Sequence, residues 1–290
     1  MPLQSLVDYF NDRFEHEHRA SFRPFILENG AVTGLFGPIK IDSNFTLFRQ
    51  ALTPTTIVGH GAQIAVATRK IQQLYPNELE NLLTKNPGHV SDFETFINFD
   101  RLSRTVHMLN YLTFLHLQGL LFLEVDPRHI LGIKRDHGAY FEEVITQCGL
   151  ETNNIVITVS VHYQYAQYYQ ALIHGLENYR RRGYQIALKF DAINLESKTF
   201  DLVEPLNPNY VSLSARNLIE ADENTVRQLQ RWLECIAGLS ILQQIDDKQS
   251  DRLAKSIGFD WVEGSYYSAI PFDYLSNSAY QETSSTHASI

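Results

Sequence analysis

Four groups of residues in this 290-residue chain carry side chains of a type that could do chemistry. Glu15, His16, Glu17 and His18 follow one another and offer metal-ligating atoms, but successive residues of a helix project to different faces, so they read as a solvated surface. His162 stands before Tyr163, Tyr165, Tyr168 and Tyr169, a tyrosine-rich entry to a helix that suits a half-buried face and also suits an interface. Arg180, Arg181 and Arg182 form the one basic run, at the end of a predicted helix where cations complement the dipole, which makes a solvated helix terminus of them. Cys148 and Cys235 lie far apart on helical patterns, as expected of buried thiols in a reducing compartment. The chain has no Gly-rich phosphate loop, no Gly-x-Ser-x-Gly elbow and no Cys-His pair at nucleophile spacing.

The elements that would position a site are legible from periodicity. Leu3, Leu6, Val7, Phe10 and Phe14 recur at helical spacing and predict an amphipathic helix over residues 1–20, packed on the main body. Phe22 to Leu27 and Ala31 to Phe36 flank Glu28-Asn29-Gly30, whose Asn-Gly pair supplies the positive φ angles of a tight hairpin. From residue 91 onward, helical patterns near 91–118, 138–148, 164–182, 222–237 and 247–256 alternate with short apolar runs. These runs, Leu120 to Val125, Ile155 to Val159, Gln185 to Phe190, Tyr210 to Leu213, Leu239 to Gln243 and Trp261 to Gly264, lack period-two polarity, as buried parallel strands do. Six such strands plus the early pair, in one chain of this length, predict a closed (β/α) barrel over 21–274. The Ser/Thr-rich stretch 275–290 is expected to be a mobile tail.

Composition narrows the function classes. A formal net charge of −9 repels phosphate backbones, so nucleic acid is not an expected partner. No run approaches the roughly 18 apolar residues of a membrane span, and the opening MPLQSLVDYFNDRFEHEH lacks a basic segment followed by an apolar one; the expectation is a soluble, cytoplasmic protein.

Several stretches resemble the Glu-Ala-Leu (EAL) domain family, whose members are barrels that hydrolyse cyclic diguanylate with two divalent metals. Phe22-Arg23-Pro24-Phe25 with Gly30 and Gly34 looks like that family's opening strand pair. Val125-Asp126-Pro127-Arg128 looks like its Asn-Leu-Ser-Pro-Arg segment, Gly183-Tyr-Gln-Ile-Ala-Leu188 like its Gly-x-x-Ile-Ala-Leu, and Glu263-Gly264-Ser265-Tyr266-Tyr267 with Pro271 like its closing Gln-Gly-Tyr and Pro. The implied fold is a (β/α)8-type, TIM-like barrel of the EAL kind with an N-terminal antiparallel strand pair. Residues 42–92 align poorly and read as an insertion, and hence as a protein-specific surface.

The same resemblance implies that the chemistry has been lost. The signature glutamate falls on Phe36, the asparagine ligand on Glu124, the mid-chain glutamate on Thr158, and the paired aspartates on Lys189 and Phe190. The water-orienting lysine falls on Ser212, the following aspartate on Ser214, the late glutamate on Gln243 and the closing glutamine on Glu263. Paired divalent cations need several hard oxygen ligands, which Phe36, Lys189 and Phe190 do not provide. The expectation is therefore no metal, no cofactor and no catalysis, with another protein as the partner and a homodimer allowed through the rewritten loop Asp191-Ala-Ile-Asn-Leu195. A vestigial nucleotide pocket would use Arg23, Lys40, Glu263 and Tyr266. A non-hydrolysing receptor for cyclic diguanylate is the alternative. A single-metal enzyme built from Glu124, Asp191 and Glu263 is the remaining one. Lys189 is expected to replace the metal's charge by pairing with Glu124 or Glu263, unless these groups all turn to solvent.

Overall fold

The computed structural model describes residues 2–18, 22–68, 91–114, 119–133, 138–190, 200–218, 221–270 and 273–274. The stretch Asp191 to Leu195, Pro271 and the tail from 275 fall outside the described residues. Contacts divide the chain into two compact units, one of Met1–Phe45, Ala62–His116 and Arg128–Glu151, the other of Thr46–Gly61, Leu117–Pro127 and Thr152–Ile290.

The first unit begins with α1 (Leu3–His18), which buries Leu6, Val7 and Phe10 as its spacing predicts. Asn11 on its inner face fastens it to the hairpin, donating to the Phe25 carbonyl at 2.8 Å and accepting from the Phe25 amide at 2.9 Å. Strands β1 (Phe25–Glu28) and β2 (Ala31–Phe36) pair antiparallel. The turn holds Asn29 at φ 52° and Gly30 at φ 80°, the two positive values that the Asn-Gly pair was expected to supply. Helix α2 (Ser91–Tyr111) lies on β2, and a Cβ at Gly34 would stand 2.5 Å from Leu102 Cδ2, so only glycine admits this approach. Asn110 on α2 reads the Val32 backbone in both directions at 2.7 Å.

Eight strands form a closed ring, six of them and the inner parts of the other two belonging to the second unit. These are β3 (Ile39–Gln50), β4 (Thr56–Thr68), β5 (Leu120–Glu124), β6 (Ile155–Val161), β7 (Gln185–Phe190), β8 (Tyr210–Ser214), β9 (Leu239–Gln243) and β10 (Trp261–Val262). Around the ring the order is β3-β10-β9-β8-β7-β6-β5-β4, and β4 pairs back to β3. The junctions from β5 to β10 are parallel, while β3 meets β10 antiparallel through Gln50 and Arg49. The barrel is therefore mixed. Its interior is filled by Phe48, Phe122, Tyr210 and Trp261, with ring centroids 4.5–6.2 Å apart. Crossover helices α5 (Tyr169–Arg181), α7 (Glu223–Cys235) and α8 (Lys248–Ile257) pack outside; Asp222 caps α7 by accepting from the Thr225 amide, and Asp247 caps α8 by accepting from that of Ser250. The remaining short helices are α3 (Pro127–Gly132), α4 (Ala139–Gln147) and α6 (Val203–Leu206).

Two expectations are corrected here. Of the stretch 42–92, residues 42–50 and 56–68 are not an inserted surface, since they form β3 and β4, two staves of the ring, and residues 69–90 fall outside the described residues. The stretch reads as an insertion because it aligns poorly with the family's pattern, and Gly59 and Gly61 lie within its second strand. Each is demanded by a close approach within the barrel, since a Cβ would meet the Leu120 carbonyl at 2.9 Å or Thr46 Oγ1 at 2.8 Å. Cys235, expected to be buried, is exposed; Cys148 is buried, and burial pushes its thiol up to about 12.

Candidate site at the mouth of the barrel

Successive residues of a strand face opposite sides, so the ring's interior layer determines what lies above it. Phe122, Val156, Ala187, Tyr210, Ile241 and Trp261 are the interior layer. Two residues further along each strand stand Glu124, Thr158, Lys189, Ser212, Gln243 and Glu263, which are six of the positions expected from the sequence. Ser160 and Ser214 follow two residues later still, at the carboxyl ends where barrels carry their sites. Phe190 has the opposite parity: it is 1% exposed and packs on the outer face of β7, apart from this set.

The polar groups at the mouth are paired with one another. Lys189 lies between Ser160 and Ser212 in the strand register. Its Nζ stands 3.6 Å from Glu124 Oε2, and Glu124 Oε1 accepts from Ser160 Oγ at 2.6 Å. The expected internal ion pair is thus present on Glu124. Both partners are part-exposed, with side chains 31% and 52% accessible, so it is a solvent-screened pair. Ser212 donates to Gln243 at 2.8 Å, and Ser214 to Gln244 at 2.6 Å. Thr158 Oγ1 is buried and finds no hydrogen-bond partner among the described residues.

Glu263 is held differently. The loops leaving β9 and β10 are joined by Glu263 N to Leu242 O at 2.9 Å, Ile245 N to Glu263 O at 3.0 Å and Tyr266 N to Ile245 O at 3.0 Å. A Cβ at Gly264 would lie 2.1 Å from the Ile245 carbonyl oxygen, so only glycine lets these backbones pass. The Glu263 carboxylate is 8% exposed and accepts from the Gln244 amide at 3.2 Å. Burial raises its pKa, while the Gln244 N–H and the charge of Lys189 act in the opposite direction. Gln244 itself adopts φ 61°, a strained value for a non-glycine residue.

Arg23, Phe36 and Lys40 belong to the first unit. The Arg23 guanidinium is engaged by three carboxylates of α1, Asp12 at 2.6 Å, Glu15 at 3.1 Å and Asp8 at 3.7 Å. Lys40 faces Asp42 at 3.6 Å, and Phe36 packs edge-to-face on Phe99 at 5.5 Å. The hairpin that ends in Phe36 pairs onto β3 and is not a stave of the ring, so the register that placed Phe36 at a barrel strand end is corrected. His16 is exposed on α1, and among the described residues no three His, Cys, Asp or Glu side chains converge to hold a metal ion. Sequence reasoning missed Ser160 and Gln244, although the first is readable as Thr158 plus two. It also missed a buried ionic cluster in the first unit, formed by Asp100, Arg104 and His129.

No family model matches this chain, and no curated protein matches it in sequence. Solved structures do. The Bacillus subtilis YkuI protein, with an EAL domain and in complex with substrate c-di-GMP and calcium, superposes with a TM-score of 0.61 at 18% identity, over 86% of this chain and 60% of that one. The Xanthomonas citri FimX EAL domain in complex with c-diGMP gives 0.59 at 11% identity, over 90% and 91%. An EAL domain protein from Listeria monocytogenes EGD-e gives 0.56 at 11%, over 78% and 87%. The fold is that of the EAL domains. The chain spans 60% of the length of YkuI and 54% of that of the Klebsiella pneumoniae protein BlrP1.

Proposed function

We propose that this chain is a barrel of the EAL kind that acts by binding another protein and does not hydrolyse cyclic diguanylate. The observation that carries the absence of hydrolysis is the pairing of Lys189 with Glu124 at 3.6 Å, and binding of another protein is the role we assign to a barrel without that chemistry. An ammonium at the mouth partly offsets the charge of a carboxylate that a metal would need and repels a divalent cation. The rest of the donor set points the same way. Two divalent cations close together require several carboxylates to offset their mutual repulsion. The mouth offers serine hydroxyls, two glutamine amides, the part-neutralised Glu124, Glu263, whose pKa burial raises, and Asp246, which already accepts from Ser265 Oγ at 2.8 Å and faces Arg216 at 3.5 Å. These residues do not fit a two-metal centre, and no chemical step is derived through one.

A second reading, a receptor that binds cyclic diguanylate without cleaving it, is favoured by the neighbours solved with that nucleotide. Against it, Arg23 is occupied by three carboxylates and Lys40 by one. The deciding experiment is the melting temperature of the purified chain with and without excess cyclic diguanylate, in Mg²⁺, in Mn²⁺ and in EDTA, with assay for the linear product. No shift and no product are expected. A shift without product would replace the proposal with the receptor, because a ligand of the folded state alone raises stability. EDTA-sensitive product would overturn it.

A further inference from the structure

We infer that a groove at the amino-terminal rim of the barrel is the docking site for a cationic, apolar-flanked segment of a partner protein, an inference that rests on the protein-binding reading above. The groove encloses about 510 Å³ and lies where the chain enters β8 and β9, at the end of the strands opposite to Glu124 and Lys189. Its floor is preformed: a Cβ at Gly238 would come within 2.3 Å of the Pro208 carbonyl oxygen, and Leu239 N donates to Asn209 O at 2.9 Å.

Three features of the lining converge on one kind of ligand. Asp201 and Glu204, both exposed, supply carboxylates on one side. The carboxyl end of α7 supplies the other, with Trp232 and Cys235 from its last turn. That 13-residue helix has no basic residue in its last turn, and at Ile236 it leaves in an extended conformation (φ −77°, ψ 139°), so no left-handed cap covers its final carbonyls. A helix end of this kind bears partial negative charge and favours a cation. Val203, Trp232 and Ile236 add an apolar wall. Arg180, a nearby basic side chain, is held by Glu177 and by the carbonyls of Leu206 and Asn207 at 2.7 and 2.9 Å, and neither it nor Arg231 lines the groove. An arginine fits this set well, since its guanidinium accepts carboxylates and carbonyls in its plane and stacks on an indole by its face. The chain's net charge of −9 steers such a partner inward. The stretch 275–290 has no Lys or Arg and lacks the required chemistry.

Cys235 gives the test, because it lines the groove and is exposed while Cys148 is buried with its thiol near 12. The rate of iodoacetamide alkylation of the full chain would be followed with an amidated Arg-Leu repeat peptide and with its Glu-Leu counterpart. The Arg-Leu peptide is expected to slow alkylation by a factor of 1 + [peptide]/Kd, about tenfold at ~10 Kd, and the effect should weaken with salt. The double variant Asp201→Asn, Glu204→Gln should lose most of this protection at an unchanged melting temperature, both side chains being exposed. Absence of slowing, equal slowing by the Glu-Leu peptide, a thiol already protected in the free monomer, or protection that rises with protein concentration alone would each overturn the inference. None of these readouts involves cyclic diguanylate, so failure here is distinguishable from failure of the reading of the mouth.

Discussion

The mouth of the barrel and the core of the first unit both hold charged side chains, and they hold them in opposite ways. At the mouth, Lys189 and Glu124 meet at 3.6 Å with solvent on both. In the first unit, Asp100, Arg104 and His129 are 8%, 1% and 1% exposed. Asp100 Oδ2 bonds both the Arg104 guanidinium and His129 Nδ1, the latter at 2.8 Å. Arg104 Nη2 is nearly equidistant from the two ring nitrogens of His129, at 3.3 and 3.2 Å, which places the guanidinium over the imidazole face. Its other flank lies 3.6 Å from the Phe141 ring centre. By burial, the ion pairs that contribute most to stability should be those away from the strand ends, and the screened pair at the mouth should contribute little.

Breaking the buried cluster should have the largest effect. Asp100→Asn removes the carboxylate charge that a buried guanidinium and His129 share and should cost about 3–5 kcal/mol, read by urea unfolding at pH 7. An effect under about 1 kcal/mol would erase the contrast between the two regions.

Acid should come next. Burial lowers the pKa of His60 and of His107 to about 4, and lowers that of His129, where Asp100 opposes the shift and Arg104 and Arg101 reinforce it. Between the ordinary value of 6.5 and the folded value, the unfolded chain binds protons that the folded one refuses. Stability therefore falls as pH drops through this window, by on the order of 2 kcal/mol per group at pH 5 for His60 and His107. Urea midpoints at pH 7, 6 and 5 measure it, and His107→Gln should flatten the slope.

The mouth should respond least. Burial raises the Glu263 pKa, so its charge is a cost at neutral pH that acid relieves, the sign opposite to that of the histidines. Glu263→Gln keeps an acceptor for the Gln244 amide and is expected to be neutral or stabilising by about 0.5–1 kcal/mol at pH 7. Lys189→Met should change stability by less than about 1 kcal/mol, as screened pairs do. A loss of several kcal/mol from either variant would mean that the mouth is structural after all.

Much of this was legible beforehand, and the failures have physical causes. The strands Gln185–Phe190 and Leu239–Gln243 lie where their apolar runs predicted. β3 and β4 were missed because residues 42–92 match the family's pattern poorly and read as an insertion, and their pairing in the ring is between strands that no local pattern links. The mouth residues were found through the resemblance to the EAL motifs at the strand ends, and the structure gives the physical reason they lie together: each follows an interior residue of its strand by two. Phe190 was misplaced beside Lys189 because neighbours in sequence are on opposite faces of a strand. The Asp100–Arg104 pair was visible as an i,i+4 spacing on a helix, but nothing in that spacing separates a solvated surface pair from a buried one.

The sequence by itself determined the alternation of strand and helix, the Asn-Gly hairpin, and which residue types stand at the strand ends, since these depend on local periodicity and turn stereochemistry. Only the tertiary structure decided that Lys189 reaches Glu124, that Arg23 is taken by the acids of α1, that Cys235 opens onto a groove, and that His129 shares Asp100 with Arg104. These are contacts between residues distant in the chain, and closure of the ring and burial of the helices, which no local pattern encodes, bring them within bonding distance.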